Sequence, residues 1–289
     1  MKPAPFGYTR PRSVAEVLDI LRAEPDAKVL AGGQSLLAVM NLRLARPARL
    51  VDLGVLRELD RVFDDDGAVL VGALCTHRRL ETDPLLARRL PLLAAAARQI
   101  GHVSIRNRGT LGGSLAHADP AAELPAAMVA LDATCYVEAR DSGRRAVPAR
   151  DFFESSFTTA MHDDELLTWV RIPTPAPEPG WGFAEVARRH GDFASAGAVT
   201  IVHREGDRVG DVTAVLFGVG DRPVPVDCTE LAGTSLDDET LRAFAHRVTR
   251  SLAPAEEPEL RRRHAAASLA RALTQAATRR GPRRQDGAA

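Results

Sequence analysis

The chain has 289 residues, 45% of them hydrophobic, enough for a sizeable core arranged as one large domain or a few modest ones. Lys plus Arg number 38 and Asp plus Glu number 38, so no net field favours nucleic acid or an anionic membrane, and no polyanion partner is expected. The opening MKPAPFGYTRPRS lacks an apolar stretch of signal-peptide length, and no later run reaches the roughly 20 apolar residues that span a bilayer; the reading is a cytoplasmic protein without membrane insertion.

In chain order, SVAEVLDILRAEP offers Ser13 as an N-cap with Glu16 three residues on, and places Val14, Val17, Leu18 and Leu21 on one helical face. KVLAGG reads as a buried strand running into a glycine turn, and RLVDL and AVLVGAL as two further strands. Thr76 to Arg98 is helical in pattern, interrupted at Pro84 and Pro91. A second glycine turn follows at Gly112. PAAELPAAMVALDA predicts a helix with Asp119 as N-cap and Pro120 at its first position, leading into the strand ATCYVEA. ELLTWVRIP is a strand that stops at a proline-rich stretch from Pro173 to Gly180, read as a domain boundary. Beyond it, strand-like runs at Phe183 to Arg188, Ala198 to His203 and Val212 to Val219 precede helical segments at Asp238 to Leu252 and Glu257 to Ala277. Strands first and helices afterwards predict an α+β layer. RRGPRRQDGAA has too little apolar content to pack and is read as a disordered tail, 279–289.

Cys75, Cys135 and Cys228 are far apart with no CxxC pair, which argues against a disulfide framework or a cluster held by this chain; they read as buried reduced thiols. The eight histidines form no metal-ligand pattern, so no metal residue is assigned. The Rossmann, P-loop, HExxH and GxSxG signatures are all absent, which removes sequence support for those classes of NTPase, protease and hydrolase.

The informative segments are AGGQSL, Ala31 to Leu36, and TLGGSL, Thr110 to Leu115. A Gly-Gly pair lets backbone N–H groups converge without Cβ obstruction, forming a nest for phosphate oxygens. One nest suits one phosphate; two, 80 residues apart between Gly32 and Gly112, suit a diphosphate if their subdomains face each other. Two unrelated tight turns would look the same, since such turns are common.

At these residues the sequence resembles a known family, the FAD-binding medium subunits of the carbon monoxide dehydrogenase and xanthine dehydrogenase class, the molybdenum hydroxylases. The blocks that carry the resemblance are AGGQSLLAVMNLRLARPARLVDL, IRNRGTLGGSLAHADPAAELPAAMVALDA, DELLTWVRIP and RRHGDFASAGA, in that order. The resemblance implies a p-cresol methylhydroxylase-type FAD fold at 1–175, made of two α/β subdomains at about 1–58 and 59–175, then a C-terminal domain at 180–278 with a three-stranded antiparallel sheet and helices. It further implies that Ala31, Gly32, Gly33, Gln34, Ser35 and Leu36 form one wall of a non-covalent FAD site, and Thr110, Leu111, Gly112, Gly113 and Ser114 the other.

By the same resemblance Asp119 and Glu123 accept from a ribose hydroxyl or a neighbouring polar group, though Asp119 is also what a helix cap looks like. Leu167 stands where the family packs an aliphatic side chain on the adenine, and Phe193 where it sets an aromatic or apolar residue against the isoalloxazine; both equally suit a core position. One departure is FAEVARR, in which Ala184 and Glu185 stand where relatives often carry a lysine. The implied function is oxidoreductase electron transfer: from [2Fe–2S] clusters on a small partner subunit, through FAD, to NAD, a quinone or oxygen. A large partner carries the molybdenum cofactor, in a dimer of heterotrimers. No residue is assigned an acid–base catalytic role. The competing readings are a stand-alone FAD-dependent oxidase or dehydrogenase acting on a small molecule, and a non-redox binding module with a decayed flavin site.

Overall fold

The computed structural model describes residues 1–174, 179–205, 208–235 and 237–279. Part of the proline-rich boundary, 175–178, and nearly all of the tail, 280–289, lie outside the described residues.

The N-terminal lobe comprises β1 (Gly7–Thr9), α1 (Val14–Ala23), β2 (Ala27–Leu30), α2 (Leu36–Asn41) and β3 (Arg49–Asp52). Its sheet is parallel, in the order β1-β3-β2. Helix α1 begins where the sequence places it: Ser13 Oγ accepts the Glu16 N–H at 3.2 Å, and the Glu16 carboxylate accepts the Arg12 N–H at 2.7 Å. Its buried face, Val17, Leu18 and Leu21, packs with Val51, Leu53 and Leu56.

The second lobe contains β4 (Val62–Asp65), β5 (Ala68–Gly72), α3 (His77–Thr82), α4 (Pro84–Arg89), α5 (Pro91–Gln99), α6 (Val103–Arg106), α7 (Leu111–His117), α8 (Glu123–Ala130), β6 (Thr134–Ala139), β7 (Gly143–Pro148), α9 (Ala149–Phe152), β8 (Phe153–Ser155), β9 (Thr158–Thr159) and β10 (Leu166–Pro173). An antiparallel sheet in the order β4-β5-β10-β6-β7 forms its base. The two prolines do not interrupt one helix; each starts a new one, because the ring has no N–H to lose at a first helical position. Adjacent residues of β10 serve different cores: Leu166 joins the N-terminal lobe and Leu167 the central core.

The C-terminal portion holds β11 (Gly180–Val186), β12 (Ala196–Glu205), β13 (Arg208–Phe217), β14 (Val224–Val226), α10 (Asp238–Thr249) and α11 (Pro258–Thr278). Its antiparallel sheet has three long strands, as expected, extended by the short β14. Both faces of this sheet are covered. Ala184, Ala198 and Val202 pack beneath Leu241, Leu269 and Leu273 of α10 and α11, whereas Phe183, Val199, Val215 and Phe217 enter the central core with Leu124 and Met128 of α8. That double burial explains why β12 is buried continuously from Ala196 to Val202. No helix among the described residues is long and apolar enough to cross a membrane.

Candidate functional site

The first glycine segment leaves β2 and turns into α2. Gly33 has φ +71°, a left-handed conformation that L side chains rarely adopt. Leu37 N–H donates to Gly33 O at 3.3 Å and Val39 N–H to Ser35 O at 3.1 Å, which starts the helix. The backbone N–H groups of Gly32, Gly33, Gln34 and Ser35 donate to no protein group among the described residues. They stand at the N-terminal end of α2, where unpaired N–H groups meet an anion favourably. Gln34 folds over the turn, donating through Nε2 to Gly32 O at 3.2 Å.

The second segment differs from the expected nest. Gly112 and Gly113 lie inside the first turn of α7, and their N–H groups are already engaged: Gly112 donates to Ala73 O at 2.8 Å and Gly113 to Thr110 Oγ1 at 3.1 Å. Leu111 N–H donates to Cys75 O at 2.9 Å and Ser114 N–H to Thr110 O at 3.0 Å. The glycines serve close packing instead, since a Cβ on Gly112 would lie 2.5 Å from that of Ala73. Thr110, Leu111 and Gly112 are buried, so Gly113 and Ser114 are the parts of this wall with free surface.

The two segments are nonetheless brought together. A Cβ on Gly32 would overlap the Arg108 carbonyl oxygen and come within 2.7 Å of Gly109 Cα, and one on Gly113 would sit 3.5 Å from Ala31 Cβ. Segments about 80 residues apart in sequence thus share one surface, with open donors on the first wall and small or hydroxyl-bearing residues on the second. A Cβ at Gly32 would fill the seam between the walls, and the chemistry left on the surface fits a diphosphate.

Beneath the seam sits His77, a residue that carried no signal in the sequence. It is buried against Gly109, where a Cβ would lie 2.7 Å from its Cε1. Gly109 was present in the family-like block RNRGTLGG, but its reason, room for an imidazole, needs the fold.

The remaining candidates separate. Asp119 does not cap α8: its carboxylate accepts the Ala121 N–H at 2.9 Å, Ala122 N–H donates to Asp119 O at 3.0 Å, and the helix starts only at Glu123 with Ala122 at the cap position. The Asx turn competes with the helical start and wins. Glu123 is 7% exposed, and burial, with Glu185 and Asp119 nearby, pushes its carboxyl up to about 8. Leu167 is 3% exposed inside the central core, so it takes the default role of a strand leucine and offers no free apolar face to an adenine. Phe193, in contrast, is 71% exposed on the β11–β12 loop and contributes nothing to the core. That loop turns at Gly191, φ +86°, where a Cβ would come 3.1 Å from His102 Cε1, placing His102 beside the loop of Phe193. His117 lies 5.1 Å from the ring of Phe157, its imidazole pulled below the usual range chiefly by burial. Among the described residues, no group of three or more His, Cys, Asp or Glu side chains is arranged to hold a metal ion.

Comparison with known proteins adds independent findings. Residues 4–175 match the family described as FAD binding domain in molybdopterin dehydrogenase, and residues 181–276 match the CO dehydrogenase flavoprotein C-terminal domain. The chain is 39% identical over 225 residues to caffeine dehydrogenase subunit beta of Pseudomonas sp. (strain CBB1), covering 78% of this chain and 76% of the relative. It is also 39% identical over 254 residues to the nicotine 6-hydroxylase medium subunit of Paenarthrobacter nicotinovorans, covering 87% and 89%. Among solved structures, a chain of quinoline 2-oxidoreductase from Pseudomonas putida 86 superposes with a TM-score of 0.92 at 38% identity, over 96% of this chain and 98% of that one.

Proposed function

The chain belongs to the FAD-binding flavoprotein family of molybdopterin dehydrogenases, the medium subunits of the carbon monoxide dehydrogenase and xanthine dehydrogenase class, and we propose that it serves as the electron-transfer subunit of such a complex. Electrons would enter from [2Fe–2S] clusters on a small partner, pass through a non-covalent FAD, and leave to NAD, a quinone or oxygen, while a large partner bearing the molybdenum cofactor transforms the organic substrate. When bound, the flavin supplies one- and two-electron chemistry.

The observation that carries the reading is the shared surface of the two glycine segments. The diphosphate is assigned to the open N–H groups of Gly32 to Ser35, with Ala31 and Leu36 at the ends of that wall and Gly113 and Ser114 facing it. Asp119 and Glu123 follow at the start of α8 as acceptors for the hydroxyl-bearing part of the dinucleotide. Phe193, exposed on a loop of the C-terminal portion, is the aromatic available to face a flavin ring. Such a site binds and orients a cofactor, and no acid–base catalytic role is assigned to its residues. The relatives named as subunits and medium chains support partners for this chain; the assembly proposed for them is a dimer of heterotrimers.

Purification from its own host with metal analysis and a flavin spectrum tests the proposal. The expected result is stoichiometric FAD in a heteromeric complex containing iron and molybdenum. An isolated yellow protein that oxidises an organic substrate unaided would overturn it, as would a colourless one.

A further inference from the structure

The second glycine segment is held by an imidazole as well as by backbone. Segments 73–77 and 109–112 meet in an antiparallel bridge at Thr76 and Thr110: His77 N–H donates to Gly109 O at 2.8 Å, Leu111 N–H to Cys75 O at 2.9 Å and Gly112 N–H to Ala73 O at 2.8 Å. In this register Thr76 and Thr110 lie opposite each other without exchanging hydrogen bonds, so the Thr110 N–H and C=O both point away from the backbone of segment 73–77. The carbonyl finds two donors there, Ser114 N–H at 3.0 Å and the His77 ring, whose Nε2 lies at 3.0 Å and, facing a carbonyl, has to carry the proton. The Thr110 N–H finds no acceptor among the described residues.

Every other backbone N–H from Arg108 to Ser114 is engaged: Arg108 and Gly109 donate to Ile105 O at 3.1 Å and 2.7 Å, and Gly113 to Thr110 Oγ1 at 3.1 Å. The open donor thus stands alone in this wall, in a buried residue, where N–H groups are nearly always paired. The first wall packs on either side of it in sequence. A Cβ on Gly32 would meet Arg108 O and Gly109 Cα, and one on Gly113 would lie 3.5 Å from Ala31 Cβ. His77 governs how the donor is presented. With its own N–H on Gly109 O and its ring on Thr110 O, it holds two successive carbonyls. A trans peptide is planar with C=O and N–H opposed, so fixing the Gly109 carbonyl fixes the direction of the Thr110 N–H. Gly109 makes the room: a Cβ there would lie 2.7 Å from His77 Cε1 and 2.8 Å from Nδ1.

We propose that His77 is a positioning residue of the cofactor site: it locks the Gly109–Thr110 peptide so that the Thr110 N–H donates to the diphosphate from the second wall, across from the open N–H groups of Gly32 to Ser35. The inference rests on the assignment of FAD to the glycine seam. It gives the second wall the backbone donor that Gly112 and Gly113, already engaged, do not supply. His77 itself touches no phosphate; it acts through the peptide it holds. Glutamine carries an amide N–H to about the reach of Nε2 and keeps the bond to Thr110 O. Leucine fills the space but leaves only the backbone bond to Gly109 O.

The test is FAD affinity of the purified full chain, by flavin fluorescence, for wild type, His77→Leu and His77→Gln. The leucine variant should bind about tenfold or more weakly, the scale of one buried hydrogen bond, and the glutamine variant within about threefold of wild type. A histidine that merely fills space predicts the reverse order, because leucine suits a buried apolar site better than glutamine does. Amide NMR of isotope-labelled protein adds a readout at the donor itself. On addition of FAD the Thr110 amide proton should move downfield in wild type and equally in His77→Gln, as an N–H does on entering a charge-assisted hydrogen bond. If His77→Leu fails to fold, this comparison decides alone. A Thr110 amide that FAD leaves unmoved, a folded leucine variant with wild-type affinity, or a glutamine variant as weak as the leucine one would each overturn the role of His77 while leaving the FAD site standing. No FAD binding by wild type would remove the site itself, and this role with it.

Discussion

His77 and Thr110 are joined at the base of the glycine seam: the imidazole Nε2 lies 3.0 Å from the Thr110 carbonyl oxygen, while the His77 backbone N–H donates to Gly109 O at 2.8 Å. A carbonyl only accepts, so Nε2 carries the proton, and Nδ1 is buried with no partner. Charging this ring is unfavourable: burial, with Arg106 adding to it, pulls its pKa from 6.5 to about 4 despite the opposing bond to Thr110. Since the folded value is depressed, the unfolded chain takes up the proton first as pH falls. The contribution is fully present above about pH 6.5 and lost progressively toward about pH 4, amounting to about 3 kcal/mol. Urea unfolding of wild type and His77→Gln across that interval measures it. The difference between the two proteins should shrink as pH falls; a constant difference would show that His77 does not titrate this way.

Gly32 and Gly113 test the seam itself. Gly32→Ala drives a methyl into the Arg108 carbonyl and should force the walls apart, weakening FAD retention by about tenfold or more and costing about 1–3 kcal/mol of stability. Gly113→Val meets Thr110 Oγ1 at 2.9 Å, disturbs the cap of α7 and fills the space opposite Ala31, so FAD should be lost. Gly7→Ala is the control, because the nearest atom to its Cβ is 3.5 Å away. Flavin-to-protein ratios after gel filtration decide the matter, and stoichiometric FAD in the Gly113→Val protein would remove that residue from the site.

These residues also show what the sequence could and could not reveal. The Ser13–Glu16 cap, the breaks at Pro84 and Pro91 and the glycine segments are local chemistry, and local chemistry is legible. Strand β7 was not, since its charged start, GRRAVP, has no clean alternation and pairs only because β6 lies beside it. Asp119 followed by Pro120 looks like a helix start, yet the Asx turn closes first and shifts the helix to Glu123. At the second glycine pair the motif is right but the expected use of its N–H groups is not, because Ala73 O and Thr110 Oγ1 reach them. His77, Leu167 and Glu185 depend on partners distant in sequence, and burial of that kind is decided by tertiary packing.

The three cysteines should be chemically silent in the native protein. Cys75, Cys135 and Cys228 are buried and free, and burial pushes each thiol up to about 12, which leaves almost no thiolate near neutral pH. Labelling with a disulfide reagent should proceed at the rate of unfolding, with all three thiols reacting together in denaturant. A thiol that reacts promptly in native buffer would contradict this.

Phe193 makes the sharpest distinction between a structural and a functional aromatic. With 71% of its surface exposed and no place in any core cluster, its truncation to alanine removes little buried area, and stability should stay within about 0.5 kcal/mol of wild type. If it faces the flavin ring, however, the variant loses a stacking contact of about 0.5–1.5 kcal/mol and changes how an acceptor approaches. FAD should therefore be retained while its reoxidation rate shifts by roughly two- to tenfold, the kinetic equivalent of that contact. Phe193→Tyr keeps the ring and should restore the wild-type rate. Stopped-flow reoxidation with oxygen, a quinone and NAD separates these cases, and identical rates for the alanine variant with all three acceptors would take Phe193 out of the flavin environment.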